Sequence, residues 1–189
     1  MRKIILASAS PWRRILLERA GITFTVEVSD YKEDHSLHAK PLELVKLLAI
    51  CKAEAVAIKH SNAIVIGADT LVEYKGQPIG KPATRTEAKR ILKRLSGKTH
   101  SIHTGYCIID SKTGKRHVGV ETTLVTFRKL STKEIESYIA TGEPLAVAGG
   151  YGIEGGASSF ASKINGDFYN IVGLPLARIV QELKRLGAA

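Results

Sequence analysis

Asp69 is the residue whose type and position could best do chemistry. It follows the apolar run Ala63 to Ala68, which is typical of a strand buried on both faces, and we expect Asp69 to lie where that strand ends. Open α/β sheets bind ligands outside the carboxyl ends of their strands. A carboxylate there could hold a divalent metal ion or activate water. The alternative is an ordinary turn aspartate.

The segment Ser8 to Arg14 is a second candidate. Its small residues let the backbone turn closely, and Ser10 can cap a helix whose first position is Pro11. The N–H groups of such a helix N-terminus, together with serine and arginine donors, can hold an anion. The pattern therefore indicates a phosphate cradle; the alternative is that Ser10 only caps the helix and the arginines face solvent.

Two further charged residues could join these candidates. Glu33 lies in the polar loop Ser29 to Lys40 and is a possible second carboxylate, although most loop glutamates only face water. Lys81 stands between a glycine and a proline, so its backbone is constrained. A constrained lysine is better suited to bind phosphate than a freely mobile one.

Other patterns imitate known sites without meeting their requirements. Ser96 to Thr99 resembles the end of a P-loop, but Leu92 replaces the required glycine and a helix precedes the segment. Two pairs of histidines lie three residues apart, His35 with His38 and His100 with His103. Neither pair has the i, i+4 spacing of helical metal ligands, so we expect no histidine metal site.

The elements that must position these residues are strands and helices in mixed order. The pattern predicts strands at Lys3 to Ala7, Phe24 to Val28, Ala63 to Ala68, Thr99 to Ile109, Arg116 to Phe127 and near Phe160 to Ile164, with a hairpin from Val72 to Ile79. Helices are predicted after Ser10, from Pro41 to about Lys59, from capping-box patterns at Thr84 and Ser131, and from Pro175. In the long helix from Pro41, Lys52 lies at the edge of an apolar stripe formed by Leu44, Leu47, Leu48, Cys51, Ala55 and Ile58. This order predicts an α/β fold with a mixed sheet.

Composition limits the class of protein. A length of 189 residues favours a single domain, 1–189. A formal net charge of +10 attracts nucleic acid, an anionic membrane or a polyphosphate. Only 6% of residues are aromatic, and the basic residues are scattered, which disfavours a nucleic-acid stacking platform. The apolar stretch Ile4 to Ala9 is too short for a signal peptide, and no transmembrane-length run follows, so we expect a cytoplasmic protein.

Taken together, six ordered motifs resemble those of the Maf family, also called septum formation inhibitor proteins, which are nucleoside triphosphate pyrophosphatases. The motifs are Leu6-Ala7-Ser8-Ala9-Ser10-Pro11 with Arg13, Ile66-Gly67-Ala68-Asp69-Thr70, Gly80-Lys81-Pro82, Leu95-Ser96-Gly97 with His100 and Thr104-Gly105, Gly149-Gly150-Tyr151-Gly152-Ile153, and Gly166-Asp167 with Asn170 and Gly173-Leu174-Pro175. The resemblance implies the Maf fold, an elongated mixed sheet with flanking helices and an architecture related to inosine triphosphatases. It also implies a cytoplasmic homodimer.

The resemblance also implies residue roles, carried over by position. Asp69 falls on the family's catalytic acid/base. The positions that line its phosphate and metal site are those of Ser8, Arg13, Glu33, Lys52 and Lys81. We expect catalysis from Asp69, Lys52 and Lys81, metal binding by Glu33 and Asp69, and substrate binding by Ser8, Ser10, Trp12, Arg13, Thr70 and Glu154. The expected cofactor is Mg²⁺ or Mn²⁺, since the candidate ligands are hard oxygens. Lys32 stands where the family often has an acidic residue.

The base preference is mixed within this resemblance. At the positions of Trp12, Thr70 and Glu154, the dTTP/UTP branch has arginine, threonine and glutamine. At the same three positions, in the same order, the 7-methyl-GTP branch has an aromatic residue, glutamine and glutamate. Indole stacking on a charged methylated purine and a carboxylate facing guanine N–H groups favour 7-methyl-GTP. The alternatives are a dTTP/UTP pyrophosphatase of the same family, and a cell-division or nucleic-acid-binding protein without catalytic activity.

Overall fold

A computed structural model describes residues 2–32 and 40–188. The strands are β1 Lys3–Leu6, β2 Thr25–Val26, β3 Ala63–Tyr74, β4 Gln77–Ile79, β5 Thr99–Asp110, β6 Arg116–Phe127 and β7 Ala161–Asn165. The helices are α1 Pro11–Arg19, α2 Pro41–Ala57, α3 Arg85–Leu95, α4 Thr132–Ala140, α5 Phe168–Val172 and α6 Leu176–Arg185. Three short 3₁₀ helices lie at Glu143–Ala146, Ala148–Gly150 and Ser158–Phe160. Glu33, His35 and His38 lie outside the described residues.

The strands form one mixed sheet flanked by helices, which confirms the predicted α/β fold class. Its strand order is β2-β1-β3-β5-β6-β7, with β4 paired to β3. The pairings of β1 with β2 and with β3 are parallel, and those of β3 with β4 and of β6 with β7 are antiparallel. The long hairpin predicted between β5 and β6 is present, and its turn is closed by the bond from Gly114 N to the Asp110 carbonyl.

The prediction that Asp69 ends its strand is wrong. Strand β3 runs for 12 residues, through Asp69 to Tyr74, and turns at Lys75 and Gly76, both of which have positive φ. What ends near Asp69 is the neighbouring strand, because the register of β1 with β3 stops at Leu6 opposite Ile66. The apolar run in the sequence of β3 therefore ends where β3 loses its neighbour β1, and not where β3 itself ends.

The chain is organised as two compact units. Unit 1 comprises the described residues of Met1–Thr70, Thr104–Glu121 and Gly173–Ala189, and unit 2 comprises Leu71–His103 and Thr122–Val172. Strands β3, β5 and β6 contribute residues to both units, so the division does not follow chain order. The expectation of a single domain stays a prediction.

In unit 1, helix α2 packs on one face of the strands. Cys107 and Ile109 of β5 pack in a buried cluster with Ala49 and Ala53 of α2. The predicted apolar stripe of α2 is mostly wrong. Leu48 is buried as predicted, but Ile58 is 86% exposed, and the other buried residues of the helix are Val45, Ala49, Ala53, Val56 and Ala57. Apolar residues of α2 occur on all sides of the helix, so their spacing in the sequence could not identify its buried face.

The core of unit 2 is built around α3, α4 and aromatic side chains. Leu92 and Leu95 of α3 are buried with Ile135 of α4 and with Phe127. In the same cluster, His100 is 2% exposed, and its Nε2 lies 2.5 Å from the Tyr151 hydroxyl oxygen. Burial lowers the pKa of His100 from 6.5 to about 4.

The predicted helix caps are present. Ser10 is the N-cap of α1 and accepts a bond from Arg13 N. Ser131 and Glu134 form a reciprocal capping box at α4. At α3, Thr84 accepts from Glu87 N, but the Glu87 carboxylate accepts from Ala83 N, so only half of that box forms. None of the helices in the described ranges is long and apolar enough to span a membrane.

Candidate active site

The first part of the candidate site is an ion pair between Lys52 and Asp69. Lys52 Nζ donates to Asp69 Oδ1 at 2.5 Å, and the two side chains are only 15% and 14% exposed. A charge-assisted bond of this kind fixes the position of the carboxylate more firmly than a neutral one. The structure therefore brings together two residues that the family resemblance assigned to catalysis.

Glycines allow α2 to approach the strands closely enough for this pair to form. A Cβ atom at Gly67 would clash with the carbonyl oxygen of Ala49 and would lie 2.8 Å from Cβ of Ala53. At Gly105 of β5, a Cβ atom would clash with the Val45 carbonyl. Backbone contact of this kind requires residues without a side chain. The two glycines thus set the distance between Lys52 and the strand that carries Asp69.

The second part of the site is the turn between β1 and α1. Ser8 is 8% exposed, and its Oγ accepts a bond from Ser10 N at 3.3 Å. Ser10 caps α1, and Arg14 binds Glu18 on the surface. This geometry matches the alternative in which Ser10 caps the helix and Arg14 faces solvent. Ser8 and Arg13 are the buried polar residues of the turn.

Arg13 is held by neutral oxygen atoms from three parts of unit 1. Its Nε donates to the Gly173 carbonyl at 2.8 Å, Nη1 donates to Ser8 Oγ at 3.0 Å, and Nη2 donates to Thr70 Oγ1 at 3.0 Å. Arg13 as a whole is 8% exposed. These three acceptors fix the orientation of the guanidinium group.

Asp69 and Thr70 are neighbours on β3 whose side chains point to opposite faces. Successive residues of a strand alternate, and the contacts agree, since Asp69 binds Lys52 of α2 whereas Thr70 binds Arg13 of α1. Both residues lie beyond Ile66, the last residue of β3 that pairs with β1. Both parts of the site therefore lie past the carboxyl end of β1, on opposite faces of β3, at the end of the strands where parallel sheets commonly bind ligands.

The remaining predicted residues are placed but not joined to this cluster. Trp12 is half-buried on α1. Lys81 is exposed and Glu154 half-buried, and both belong to unit 2. Burial, with a smaller contribution from the charge of Glu143, raises the pKa of Glu154. Their roles stay predictions, as does that of Glu33, which lies outside the described residues.

Sequence reasoning missed two partners of Arg13 and Thr70. Thr104 is completely buried, and its Oγ1 lies 3.0 Å from Thr70 Oγ1. Gly173 supplies a carbonyl to both Arg13 and Thr70. One indication of these partners was present in the sequence: Thr104-Gly105 and Gly173-Leu174-Pro175 belong to motifs of the family resemblance. That resemblance assigned no role to Thr104 or Gly173.

The Asp69 carboxylate is a possible ligand for a divalent metal ion. Among residues 2–32 and 40–188, no three His, Cys, Asp or Glu side chains form a metal-binding group. Asp69 supplies a single carboxylate. Mg²⁺ commonly binds through one or two carboxylates, retained water molecules and substrate phosphates. The Asp69 carboxylate is therefore chemically suited to a divalent ion that also binds a polyphosphate.

Comparisons with known proteins agree along almost the whole chain. The Maf family model, described as Maf-like protein, matches residues 3–186. The chain is 49% identical over 185 residues to proteins named dTTP/UTP pyrophosphatase from Bacillus mycoides (strain KBAB4), Bacillus anthracis and Bacillus cereus (strain ZK / E33L). Each match covers 98% of this chain and 96% of the relative.

Proposed function

Because this chain belongs to the Maf family, we propose that it is a pyrophosphatase that hydrolyses dTTP and UTP to pyrophosphate and the nucleoside monophosphate. The observation that carries the proposal is 49% identity, over 98% of the chain, to relatives named dTTP/UTP pyrophosphatase. The comparisons favour this alternative over the 7-methyl-GTP preference suggested by Trp12 and Glu154, for which they offer no support.

The geometry of unit 1 is suited to the phosphate chain of such a substrate. The turn after β1 combines the N-terminus of α1 with the buried Arg13 guanidinium and the Ser8 hydroxyl. Helix N-termini and arginine are favourable environments for phosphate oxygens. Charge on those oxygens increases during phosphoryl transfer, so a fixed positive group there lowers the barrier.

Asp69 is the group that can take the proton from the attacking water. Water attacks the α-phosphorus, its proton passes to the Asp69 carboxylate, and the bond from the α-phosphorus to the bridging oxygen breaks as pyrophosphate leaves. Lys52 holds Oδ1 of Asp69, which fixes the orientation of the carboxylate toward the water. The ammonium group also adds positive charge beside the reacting phosphate.

A divalent ion completes the proposed chemistry. Asp69 would hold Mg²⁺ or Mn²⁺ together with the substrate phosphates, and the bound ion would supply positive charge that polarises the phosphoryl oxygens. Glu33 as a second ligand, Lys81 as a phosphate-binding residue, and Trp12 and Glu154 as base-binding residues remain proposals carried over from the family resemblance. So do the homodimer and the cytoplasmic location.

A substrate panel tests the proposal directly. The purified protein with Mg²⁺ is offered dTTP, UTP, CTP, GTP and 7-methyl-GTP, and the product is identified as pyrophosphate or orthophosphate. We expect pyrophosphate, with the highest kcat/KM for dTTP and UTP. Faster hydrolysis of 7-methyl-GTP would contradict the base preference. Orthophosphate as the product, or salt-dependent nucleic-acid binding without any turnover, would contradict the reaction class.

Replacing the Asp69 carboxylate tests its proposed role as the general base. In Asp69→Asn the amide cannot accept the proton from water, so we expect kcat to fall by at least about 100-fold while nucleotide binding stays measurable. Asp30→Asn makes the same chemical change on a side chain that is 71% exposed and should retain activity. Wild-type turnover by Asp69→Asn would remove Asp69 from the mechanism.

A further inference from the structure

The loop that carries Glu154 is held at two points, one on each side of that residue. The Tyr138 hydroxyl accepts a bond from Gly152 N at 3.0 Å, and Glu143 Oε2 accepts a bond from Gly156 N at 3.0 Å. Gly152 precedes Glu154 by two positions, and Gly156 follows it by two. Two side chains from outside the loop therefore fix the backbone on both sides of Glu154.

The two side chains that hold the loop are also bonded to each other. The Tyr138 hydroxyl donates to Glu143 Oε1 at 2.8 Å, so it accepts from the loop and donates to the carboxylate. Both oxygens of Glu143 accept a bond, Oε1 from Tyr138 and Oε2 from the loop. Bonds to a carboxylate are stronger than those between neutral groups. The Tyr138–Glu143 pair and the loop thus form one connected network.

Local structure brings Tyr138 and Glu143 together. Tyr138 lies in the last turn of α4, and Glu143 begins the 3₁₀ helix that follows. Gly142 turns the chain between them with φ +80, a conformation that favours glycine. Tyr138 is only 4% exposed, and its ring packs edge-on against Phe160. Because packing fixes the ring, its hydroxyl is a rigid anchor for the loop.

Glycines allow the loop to lie directly against the Glu143 carboxylate. A Cβ atom at Gly155 would lie 2.5 Å from Glu143 Oε1, and one at Gly152 would lie 2.8 Å from the same oxygen. Such contacts are too short for a real side chain. The Cβ atom at Gly152 would also lie 3.6 Å from Glu154 Oε1. The carboxyl groups of Glu143 and Glu154 therefore border the same space.

We propose that Tyr138 and Glu143 are positioning residues for base recognition, which hold the loop 152–156 so that Glu154 is presented to the nucleobase. This inference rests on the proposed pyrophosphatase function and on the base-binding role proposed for Glu154. Tyr138 and Glu143 act through the loop and not by contact with the nucleotide. Their effect should therefore depend on the base, because the phosphate chain is common to all the substrates.

Removing either member of the pair tests this proposal. Tyr138→Phe removes the hydroxyl but keeps the ring that packs against Phe160, and Glu143→Ala removes the carboxylate. We expect each to lower kcat/KM for UTP about tenfold, the effect of losing a bond to a charged group, and to lower that for GTP less. The ratio of the UTP and GTP values should therefore fall.

Glu136→Ala is the matched control for the loss of a carboxylate. Glu136 lies on α4, and its side chain is 55% exposed and paired with Lys89. We expect this variant to keep the UTP to GTP ratio of the wild type. Denaturant unfolding of all the variants establishes that each is folded under the assay conditions.

A double-substitution cycle separates positioning from a general structural role. Glu154→Ala removes the side chain that the loop presents, so the UTP to GTP ratio should fall in this variant too. In the Glu154→Ala protein, Glu143→Ala should change the ratio much less than in the wild type. A general defect would lower kcat/KM for both nucleotides by the same factor and leave the ratio unchanged in either background.

The outcomes distinguish this inference from the function on which it rests. A wild-type protein that releases no pyrophosphate overturns the proposed function and this inference with it. If the wild type is active, an unchanged UTP to GTP ratio in Tyr138→Phe and Glu143→Ala overturns the inference alone. The same holds if Glu154→Ala leaves the ratio unchanged, or if Glu143→Ala changes it equally with and without Glu154.

Discussion

Glu154 stands where the family resemblance places glutamine in the dTTP/UTP branch. The surroundings of Glu154 make its side chain more like glutamine in its hydrogen bonding. Burial and the nearby Glu143 raise its pKa, which favours the neutral acid. A protonated carboxyl has one donor and one acceptor, as a glutamine amide does at its two ends. Tyr138 and Tyr151, whose pKa values burial raises, stay neutral and add no charge.

Glu154→Gln should therefore change the pH dependence of UTP hydrolysis. As pH rises from the usual glutamate value of 4.5 through the raised pKa of Glu154, the wild type loses its neutral carboxyl but the variant keeps its amide. We expect the ratio of kcat/KM, variant over wild type, to increase with pH and then level off. Glu87→Gln, on α3, should leave the profile unchanged. Identical profiles for Glu154→Gln and the wild type would exclude Glu154 from base binding.

Individual residue roles were predictable where the contacts are local. Ser10 caps α1 through a residue three positions away, and such spacings are visible in a sequence. Arg13 and Gly173 lie 160 positions apart, and no sequence spacing marks their bond. The family resemblance could assign Arg13 to phosphate, but only the folded backbone shows that Thr70 and Gly173 orient it.

At the scale of elements, the packing of α2 on the strands links stability to catalysis. The helix carries Lys52, and the absence of a side chain at Gly67 sets its distance from β3. A methyl group at Gly67 must push α2 away from the strand. Lys52 then moves relative to Asp69.

Gly67→Ala should therefore lose activity as well as stability. Overpacking of this kind costs about 1–3 kcal/mol of unfolding free energy, and we expect kcat to fall at least about tenfold as Lys52 is displaced. Gly114→Ala is the matched control: its Cβ atom meets no neighbour and its φ is +73, so backbone strain costs about 1–2 kcal/mol. Denaturant unfolding and kcat, measured for both, should show similar destabilisation but loss of activity only at Gly67.

Elements with strong local signals were predicted well, and those decided by neighbours were not. The bounds of β6 agree with the prediction, and α4 begins at its capping box. The extension of β3 past Asp69 was missed because the end of β1 produces the change in pattern. The buried face of α2 was missed because it is the face that makes close backbone contacts with Gly67 and Gly105, which lie on later strands.

At the scale of the whole molecule, a buried neutral histidine couples stability to pH. His100 packs edge-on against Phe127 and Tyr151, and its pKa falls from 6.5 to about 4 on burial. Between these values the unfolded chain binds a proton that the folded protein does not. The stability from the neutral imidazole is therefore complete above pH 6.5 and decreases as pH falls toward 4.

We expect this coupling to remove about 3 kcal/mol of unfolding free energy between pH 6.5 and 4, since each pKa unit corresponds to about 1.36 kcal/mol. Tyr151→Phe and the double variant His100→Phe/Tyr151→Phe form a matched pair, because neither leaves a buried Tyr151 hydroxyl without its histidine partner. Urea unfolding across this range should show the loss in Tyr151→Phe and in the wild type, and a flatter dependence in the double variant. If both variants lost stability in parallel, other groups would be responsible, and His100 would have to titrate in the folded protein near its usual pKa.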